Sequence, residues 1–146
     1  MFVTYRPEDG TEQRWTFDPG RVRASQAEAI EKRAGEPWDA WLFAVQAGNM
    51  RARRVLLWHL LRLDHPALKF EDTPDFYAGE LVVEHSVAEL TEIRGRVAKA
   101  TLPAVQRDQV LAALDTALAE ARQREQGTEP EGKARSLSAA SATPSP

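Results

Sequence analysis

The chain has 146 residues, a formal net charge of −3 and no cysteine. This length fits one domain, and the lack of cysteine excludes disulfides and thiolate metal sites and indicates an intracellular protein. No apolar run approaches the ~20 residues of a membrane span, the first residues lack the layout of a signal peptide, and the acidic balance provides no general attraction to nucleic acid or anionic lipid.

Residues 2–17 are predicted to form a β-hairpin. Two runs rich in aromatic and β-branched residues, FVTYR and EQRWTF, flank the turn sequence PEDG. We expect one face of the hairpin to be buried against helices, because an isolated hairpin is marginal in water. The residues predicted for that face are Phe2, Tyr5, Trp15 and Phe17.

Three helices are predicted between residues 25 and 64. The sequence SQAE, from Ser25, fits a capping box that begins the first helix, and Gly35 ends it. Pro37 begins the second helix, and Gly48 followed by Asn49 fits the end of that helix and the cap of the third.

The third helix runs to about Asp64 and is predicted to be the core helix, because apolar side chains cover more than half of its circumference. Other elements must therefore enclose it. The side chains concerned are Leu56, Leu57, Leu60, Leu61 and Leu63.

Further helix starts follow the core helix. Thr73 and Pro74 predict one or two helical turns, Ser86 caps a longer helix, and Pro103 opens the last one. From about Gln126 the composition shifts to Gly, Glu, Pro, Ser, Thr and Ala, which cannot offset the entropy of ordering. The predicted fold class is mainly α: a compact multi-helix domain, residues 1–125, with the N-terminal β-hairpin, and a disordered C-terminal tail, residues 126–146.

Catalytic and cofactor motifs are absent from the sequence. There is no P-loop, GxGxxG or GxSxG, and His59, His65 and His85 lack metal-ligand spacing. We therefore expect no enzyme activity, no cofactor and no metal.

Two features are candidate partner-binding surfaces. Arg51, Arg54, Trp58 and Arg62 share the narrower face of the core helix, opposite the leucines. Either Trp58 is buried while the arginine stems pass beside it, or the four residues form a cation–π patch for a partner. Burial is the favoured interpretation, because large aromatic side chains are usually packed.

The second feature is a loop-like stretch in which aromatic side chains stand among acidic residues. It either packs as a flap over the helices or belongs to the same partner-binding surface. Its aromatic residues are Phe70, Phe76 and Tyr77.

The two helices around Gly48 also match a helix-turn-helix pattern, with Arg51, Arg53 and Arg54 near the start of the would-be recognition helix. The leucines of that helix and the acidic balance of the chain argue against DNA binding. A DNA-binding regulator therefore remains an alternative from another class.

The series FDPGRV, AIEKRAGEPWDAW and ARRVLLWHLLRLDHPALKFEDTPDF resembles tail assembly chaperones of long-tailed (siphovirus-type) actinobacterial phages and prophages. The resemblance spans roughly Trp15 to Leu90 and carries no catalytic signature. The matching positions are Glu31, Lys32, Gly35, Trp38, Leu56, Leu57, Trp58, His65, Pro66, Leu68, Phe70 and Asp72.

The resemblance implies a protein that binds the tape measure protein and keeps it soluble until the tail tube polymerises around it. It also implies location in the cytoplasm of the bacterial host and absence from the mature virion. From the charge and the lack of a long apolar run we expect no nucleic-acid and no membrane partner. A structural head–tail connector is the alternative within phage morphogenesis. The oligomeric state, homo-oligomer included, is left open.

In many of these phages a programmed ribosomal frameshift also makes a longer chaperone, whose extra domain recruits the tail tube protein. Here the codons of Glu131, Gly132 and Lys133 can spell a slippery run, so a frameshifted product is a further expectation.

Overall fold

The computed structural model describes the backbone of residues 1–140 and the side chains of residues 1–127. The chain divides into two compact units, Met1–Glu84 and His85–Pro146. Within the described residues the protein is mostly helical with a small N-terminal β-hairpin, which confirms the predicted fold class. No change of composition marks the division at Glu84; the boundary predicted near residue 125 follows a different feature, the composition shift at Gln126.

The first unit contains a three-stranded antiparallel sheet. Its strands are β1 (Phe2–Tyr5), β2 (Gln13–Thr16) and β3 (Leu81–Glu84), in the order β2-β1-β3. Val3 pairs with Trp15 on one side and with Val83 on the other. The predicted hairpin is confirmed, and the third strand is an addition that the sequence analysis did not predict.

One face of the hairpin is buried, but its membership differs from the prediction. Val3, Tyr5 and Phe17 are buried, and Trp15, which pairs with Val3, packs against them. Phe2 is an odd number of residues from Tyr5, and strand side chains alternate between the two faces. The assignment of Phe2 to the face of Tyr5 was therefore wrong, and Val3 takes its place.

Three α-helices follow in the first unit, and their ends agree closely with the sequence signals. Gly35 and Gly48 have φ values of +72° and +89°, the left-handed conformation predicted for helix ends. The side chain of Asn49 accepts a hydrogen bond from the backbone N–H of Ala52 at 3.0 Å, as expected of a cap. The helices are α1 (Ala24–Ala34), α2 (Trp38–Gln46) and α3 (Met50–Asp64), and short 3-10 helices occupy Pro19–Arg21, Phe70–Asp72 and Ala78–Glu80.

The start of α1 differs in detail from the prediction. The helix begins at Ala24, and the side chain of Gln26 accepts a hydrogen bond from the N–H of Arg23 at 3.1 Å. The cap contact therefore involves Arg23 and Gln26 instead of Ser25 and Glu28, and the helix begins two residues earlier than a cap at Ser25 predicts.

Helix α3 is the core helix, as predicted. Trp41 of α2 is fully buried beside it, and its Nε1 donates a hydrogen bond to the carbonyl oxygen of Ala52 at 3.1 Å. Leu61 is half-buried and Leu63 is 54% exposed, so the apolar face ends earlier than the leucine pattern predicted. The buried residues of α3 are Ala52, Val55, Leu56, Leu57, Trp58, His59 and Leu60.

Residues 74–77 are not helical, which corrects the helical turns predicted there; the 3-10 helix Ala78–Glu80 follows them. A helix starting at Thr73 would use the Thr73 carbonyl and the Tyr77 N–H for its first hydrogen bond. Instead, the Thr73 carbonyl accepts from Arg54 Nη2 at 3.2 Å, and the Tyr77 N–H donates to the Glu80 carboxylate at 3.0 Å. Side-chain partners thus replace the helical bond, and the chain continues to β3.

The second unit is built on a pair of helices, α4 (Val87–Lys99) and α5 (Ala104–Ala140). Ser86 caps α4 by accepting from the N–H of Glu89 at 3.2 Å, as predicted. A small core joins the two helices, together with a two-point ion pair between Arg94 and Asp115. The buried members of that core are Leu90, Leu118 and Ala121.

The predicted disordered tail, residues 126–146, begins within the bounds of α5. Its side chains from residue 128 onward, and residues 141–146 altogether, lie outside the described residues. Disorder of this tail stays a prediction, and residues 131–133, the site of the predicted frameshift, fall in the same segment.

We predict that Leu57→Ala and Leu60→Ala each lower the free energy of unfolding by about 2–5 kcal/mol, because both side chains are buried and truncation leaves a cavity. Leu63→Ala is the matched control and should cost less than about 1 kcal/mol, since Leu63 is exposed. Urea unfolding followed by circular dichroism measures the three losses. Equal losses would contradict the assignment of the buried face.

A second prediction concerns the buried imidazole of His59, whose ring packs edge-on against Phe17. Burial, and then the charge of Arg62, lower the pKa of His59 in the folded protein. The unfolded chain therefore binds the proton more readily, so stability should fall as pH drops below about 6.5, by at most about 1.4 kcal/mol per pH unit. His59→Gln should flatten this dependence between neutral and mildly acidic pH.

The control for the His59 experiment is His65→Gln, because His65 is exposed at the end of α3. Chemical unfolding at several pH values compares the two variants with the parent chain. The pH argument fails if His65→Gln changes the slope as much as His59→Gln does.

Candidate partner-binding site

The face of α3 opposite the leucines carries an arginine–aromatic cluster, which we define as Arg33, Arg54, Trp58, Arg62 and Phe70. The ring of Trp58 meets the ring of Phe70 edge to face at 5.9 Å between centroids. The guanidinium carbons of Arg62 and Arg54 lie 4.7 Å from the Trp58 centroid and 4.9 Å from the Phe70 centroid, respectively. Arg33, from α1, lies 5.3 Å from Phe70 and 5.9 Å from Trp58. These distances are typical of cation–π contacts.

Trp58 is an interior member of this cluster. It is only 6% exposed, and its Nε1 donates a hydrogen bond to the carbonyl of Leu68 at 3.2 Å. The stretch that follows α3 and the arginines cover its ring, which is the burial favoured by the sequence analysis. Trp58 therefore contributes to a surface mainly by holding Phe70 and the arginines in place.

Next to the cluster lies a cavity of about 420 Å³, which we call the arginine groove. Two of the arginines in its wall belong to the cluster, and Phe70 is shared as well. The residues that line the arginine groove are Arg33, Met50, Arg51, Arg54, Phe70, Asp75 and Phe76.

The arginine groove has more cationic than anionic side chains in its wall: Arg33, Arg51 and Arg54 against Asp75. Arg33 forms an exposed ion pair with Glu71 at 3.2 Å, and the pKa of Glu71 is lowered first by a hydrogen bond from its own backbone and then by Arg33. Asp75 accepts a hydrogen bond from the N–H of Phe76 at 3.0 Å. Among the described residues, Arg51 has neither a hydrogen bond nor an ion pair. One exposed cation of the groove is thus left for a partner.

Arg54 is held more firmly. Its Nη2 donates to the carbonyl of Thr73, its guanidinium stacks over Phe70, and its Nε is buried without a hydrogen-bond partner in the described part of the chain. A buried donor without an acceptor carries a free-energy cost, which the other contacts of this guanidinium must offset.

The groove brings together four of the seven partner-binding residues predicted from sequence: Arg51, Arg54, Phe70 and Phe76. Trp58 and Arg62 line a neighbouring cavity instead, together with His59 and Leu63. Tyr77 is 72% exposed and lines neither of these two cavities.

Sequence analysis missed Arg33, Met50 and Asp75 as members of the groove. Arg33 and Asp75 reach it from segments far from α3 in sequence, and no local pattern signals such contacts. Met50 is the first residue of α3 and is 41% exposed. The Asn49 cap signal predicts that α3 begins at Met50, so its place at the exposed start of the helix could have been predicted.

The arginines at the start of α3 do not act alike. Arg53 points inward: its Nε donates to the carbonyl of Val45 at 3.0 Å and its Nη1 to that of Leu81 at 3.3 Å. It therefore ties α3 to α2 and β3. Because Arg54 also donates to a backbone carbonyl, Arg51 alone of these three has its whole guanidinium uncommitted.

Comparisons with protein-family models, curated proteins and solved structures found no match for this chain. In the part of the chain that the structure describes, no helix has the length and apolar character needed to cross a membrane. Among the described side chains, no group of three or more acidic or histidine residues could hold a metal ion.

We predict that Trp58→Ala lowers the free energy of unfolding by about 3–5 kcal/mol, because the side chain is buried and anchors Phe70. Tyr77→Ala, which truncates an exposed aromatic residue outside the cluster, should change stability by no more than about 0.5 kcal/mol. Thermal and urea unfolding measure both changes. A loss below about 1 kcal/mol for Trp58→Ala would contradict its anchoring role.

Proposed function

We propose that this protein is a phage tail assembly chaperone, which binds the tape measure protein and keeps it soluble until the tail tube polymerises. The observation that carries the proposal is the arginine groove, where an uncommitted Arg51 stands beside exposed and half-buried apolar side chains. Arginine and aromatic side chains are the residue types most often found at binding hot spots. The sequence resemblance described above supplies the identity of the client.

Such a chaperone needs a surface that binds its client, and it needs no catalytic site. The tape measure protein is a long helical chain, and its apolar stripes are exposed until the tube encloses it. A helper that covers those stripes at several points gains affinity by multivalency, yet each contact stays weak enough to be displaced. We therefore propose a non-enzymatic protein without a cofactor, located in the cytoplasm of the bacterial host and absent from the finished virion.

A frameshifted longer product, with an added domain that recruits the tail tube protein, belongs to the same proposal. It rests on the family resemblance and on the amino acids Glu131, Gly132 and Lys133, whose codons can spell a slippery run; the nucleotide sequence decides it. Codons that interrupt the slippery run would remove this part of the proposal without affecting the role of the groove.

The alternative of a helix-turn-helix regulator is less well supported by the geometry. A recognition helix presents its first residues to DNA bases. Here Arg53 and Arg54 donate to backbone carbonyls within the protein, and much of α3 is buried. A head–tail connector that remains in the virion differs from a chaperone in its fate, which the experiment below addresses.

We expect co-expression with the tape measure protein encoded by the same genome to move that protein from the insoluble to the soluble fraction, because the chaperone covers its apolar stripes. The control is co-expression with Leu57→Ala–Leu60→Ala, a double variant in which the loss of two buried side chains should unfold the chaperone. Quantitative gel analysis of the two fractions measures the effect. An insoluble tape measure protein with both chains would contradict the proposal.

Mass spectrometry of purified virions separates the chaperone from the connector. A chaperone should be absent from the particle or far below one copy per virion, whereas a connector should appear at a fixed stoichiometry. A stoichiometric signal would overturn the chaperone assignment.

A further inference from the structure

We infer that the arginine groove binds an acidic segment of the partner protein, with a carboxylate seated against Arg51 and Arg54 and a neighbouring apolar side chain against Met50 and Phe76. That the partner is the tape measure protein rests on the proposed function. The chemistry of the segment rests on the groove itself.

The net positive charge of the groove favours a negatively charged ligand. Because Glu71 pairs with Arg33, the guanidinium groups of Arg51 and Arg54 remain against the single carboxylate of Asp75. A carboxylate accepts two parallel hydrogen bonds from one guanidinium, a geometry that lysine and other cations do not reproduce. An acidic side chain is therefore the complementary ligand, and a basic one is repelled.

The groove is also prepared for such a ligand before it arrives. Phe70 and the Thr73 carbonyl hold the guanidinium of Arg54, so little side-chain freedom is lost when an anion binds to it. Arg51 lies beside Gly35, where a Cβ would come within 3.3 Å of its Nη2. The glycine thus leaves room for the arginine at the end of α1.

The walls of the groove require an apolar neighbour next to the acid. Met50 is 41% exposed, and an unbranched thioether side chain adapts to ligands of different shapes. Phe76 is half-buried, with its ring edge-on to Tyr5 at 6.4 Å. A volume of about 420 Å³ accommodates a few side chains, which fits a short amphipathic segment of a helix.

Nucleic acid, the other common polyanion, fits the groove less well. Single strands are bound by stacking bases on exposed aromatic faces. The ring of Phe70 already carries the guanidinium groups of Arg33 and Arg54, and Phe76 is half-buried. The chain as a whole also carries a formal net charge of −3, which provides no general attraction to a polyanion.

The test uses the full chain and three fluorescein-labelled probes in an anisotropy titration. The first is an amphipathic helical peptide with leucine on one face and glutamate on the other, the second has lysine in place of each glutamate, and the third is an oligothymidylate. We expect the glutamate peptide to bind at least about tenfold more tightly than the lysine peptide, with weaker binding at high salt. The oligothymidylate should bind more weakly than the glutamate peptide.

Two substitutions in the groove should change the affinity for the glutamate peptide in opposite directions. Arg51→Glu should weaken binding about tenfold or more, and Asp75→Asn should tighten it severalfold, because one removes the free cation and the other removes the opposing carboxylate. Both residues are exposed, so the fold should be kept, which circular dichroism checks. Arg14→Glu is the matched control, an exposed arginine of β2 outside the groove.

Equal affinity for the two peptides, preference for the oligothymidylate, or no effect of Arg51→Glu would each overturn the inference. The outcome is distinct from that of the solubility experiment. Peptide selectivity without rescue of the tape measure protein would retain the acidic-segment groove and reject the proposed client. Rescue that is unchanged by Arg51→Glu, without peptide selectivity, would retain the client and reject the groove as its binding site.

Discussion

The enclosure of α3 on all sides is the constraint on which the first unit depends. Seven of its fifteen residues are buried, so α1, α2 and the stretch that follows α3 must all pack on it. Its apolar side contacts the core of the unit, and the opposite side is closed by Trp58, Phe70 and the arginines around them. The candidate site is therefore the outer layer of the core itself. Substitutions that remove Trp58 or Phe70 act on folding first, and only exposed members such as Arg51 report on binding alone.

The parts of the fold that sequence predicted correctly all carry local signals. The Asn49 cap, the Ser86 cap and the glycine at position 48 depend on neighbours within a few residues, and each signal identified its helix end. The hairpin was predicted for the same reason, since both strands and their turn lie within residues 2–17. Turn chemistry and alternation together specify such a unit.

The errors have a common physical origin in contacts that are distant in sequence. Strand β3 pairs with β1 across most of the unit, and LVVE has too few residues to signal a strand by itself. The helical turns expected after Thr73 are absent because Arg54, nineteen residues earlier, takes the Thr73 carbonyl. In the site, the arginine face of α3 was predictable from its helical spacing. The arrival of Arg33 and Asp75 was not, because it depends on how α1 and the stretch after Phe70 pack.

The difference between Arg51 and Arg53 shows how a single helix start separates structure from binding. Residues two positions apart on an α-helix point in directions about 200° apart. Arg53 consequently faces inward, where it satisfies the carbonyls of Val45 and Leu81, while Arg51 faces outward over Gly35. The guanidinium of Arg53 satisfies backbone carbonyls of the fold, whereas that of Arg51 makes no such hydrogen bond in the described part of the chain. The exposed Arg51 lies beside Arg54, whose guanidinium is held in place, so the groove can attract an anion with little loss of side-chain entropy. A weak and salt-sensitive contact of this kind suits the proposed role of a chaperone that must later release its client.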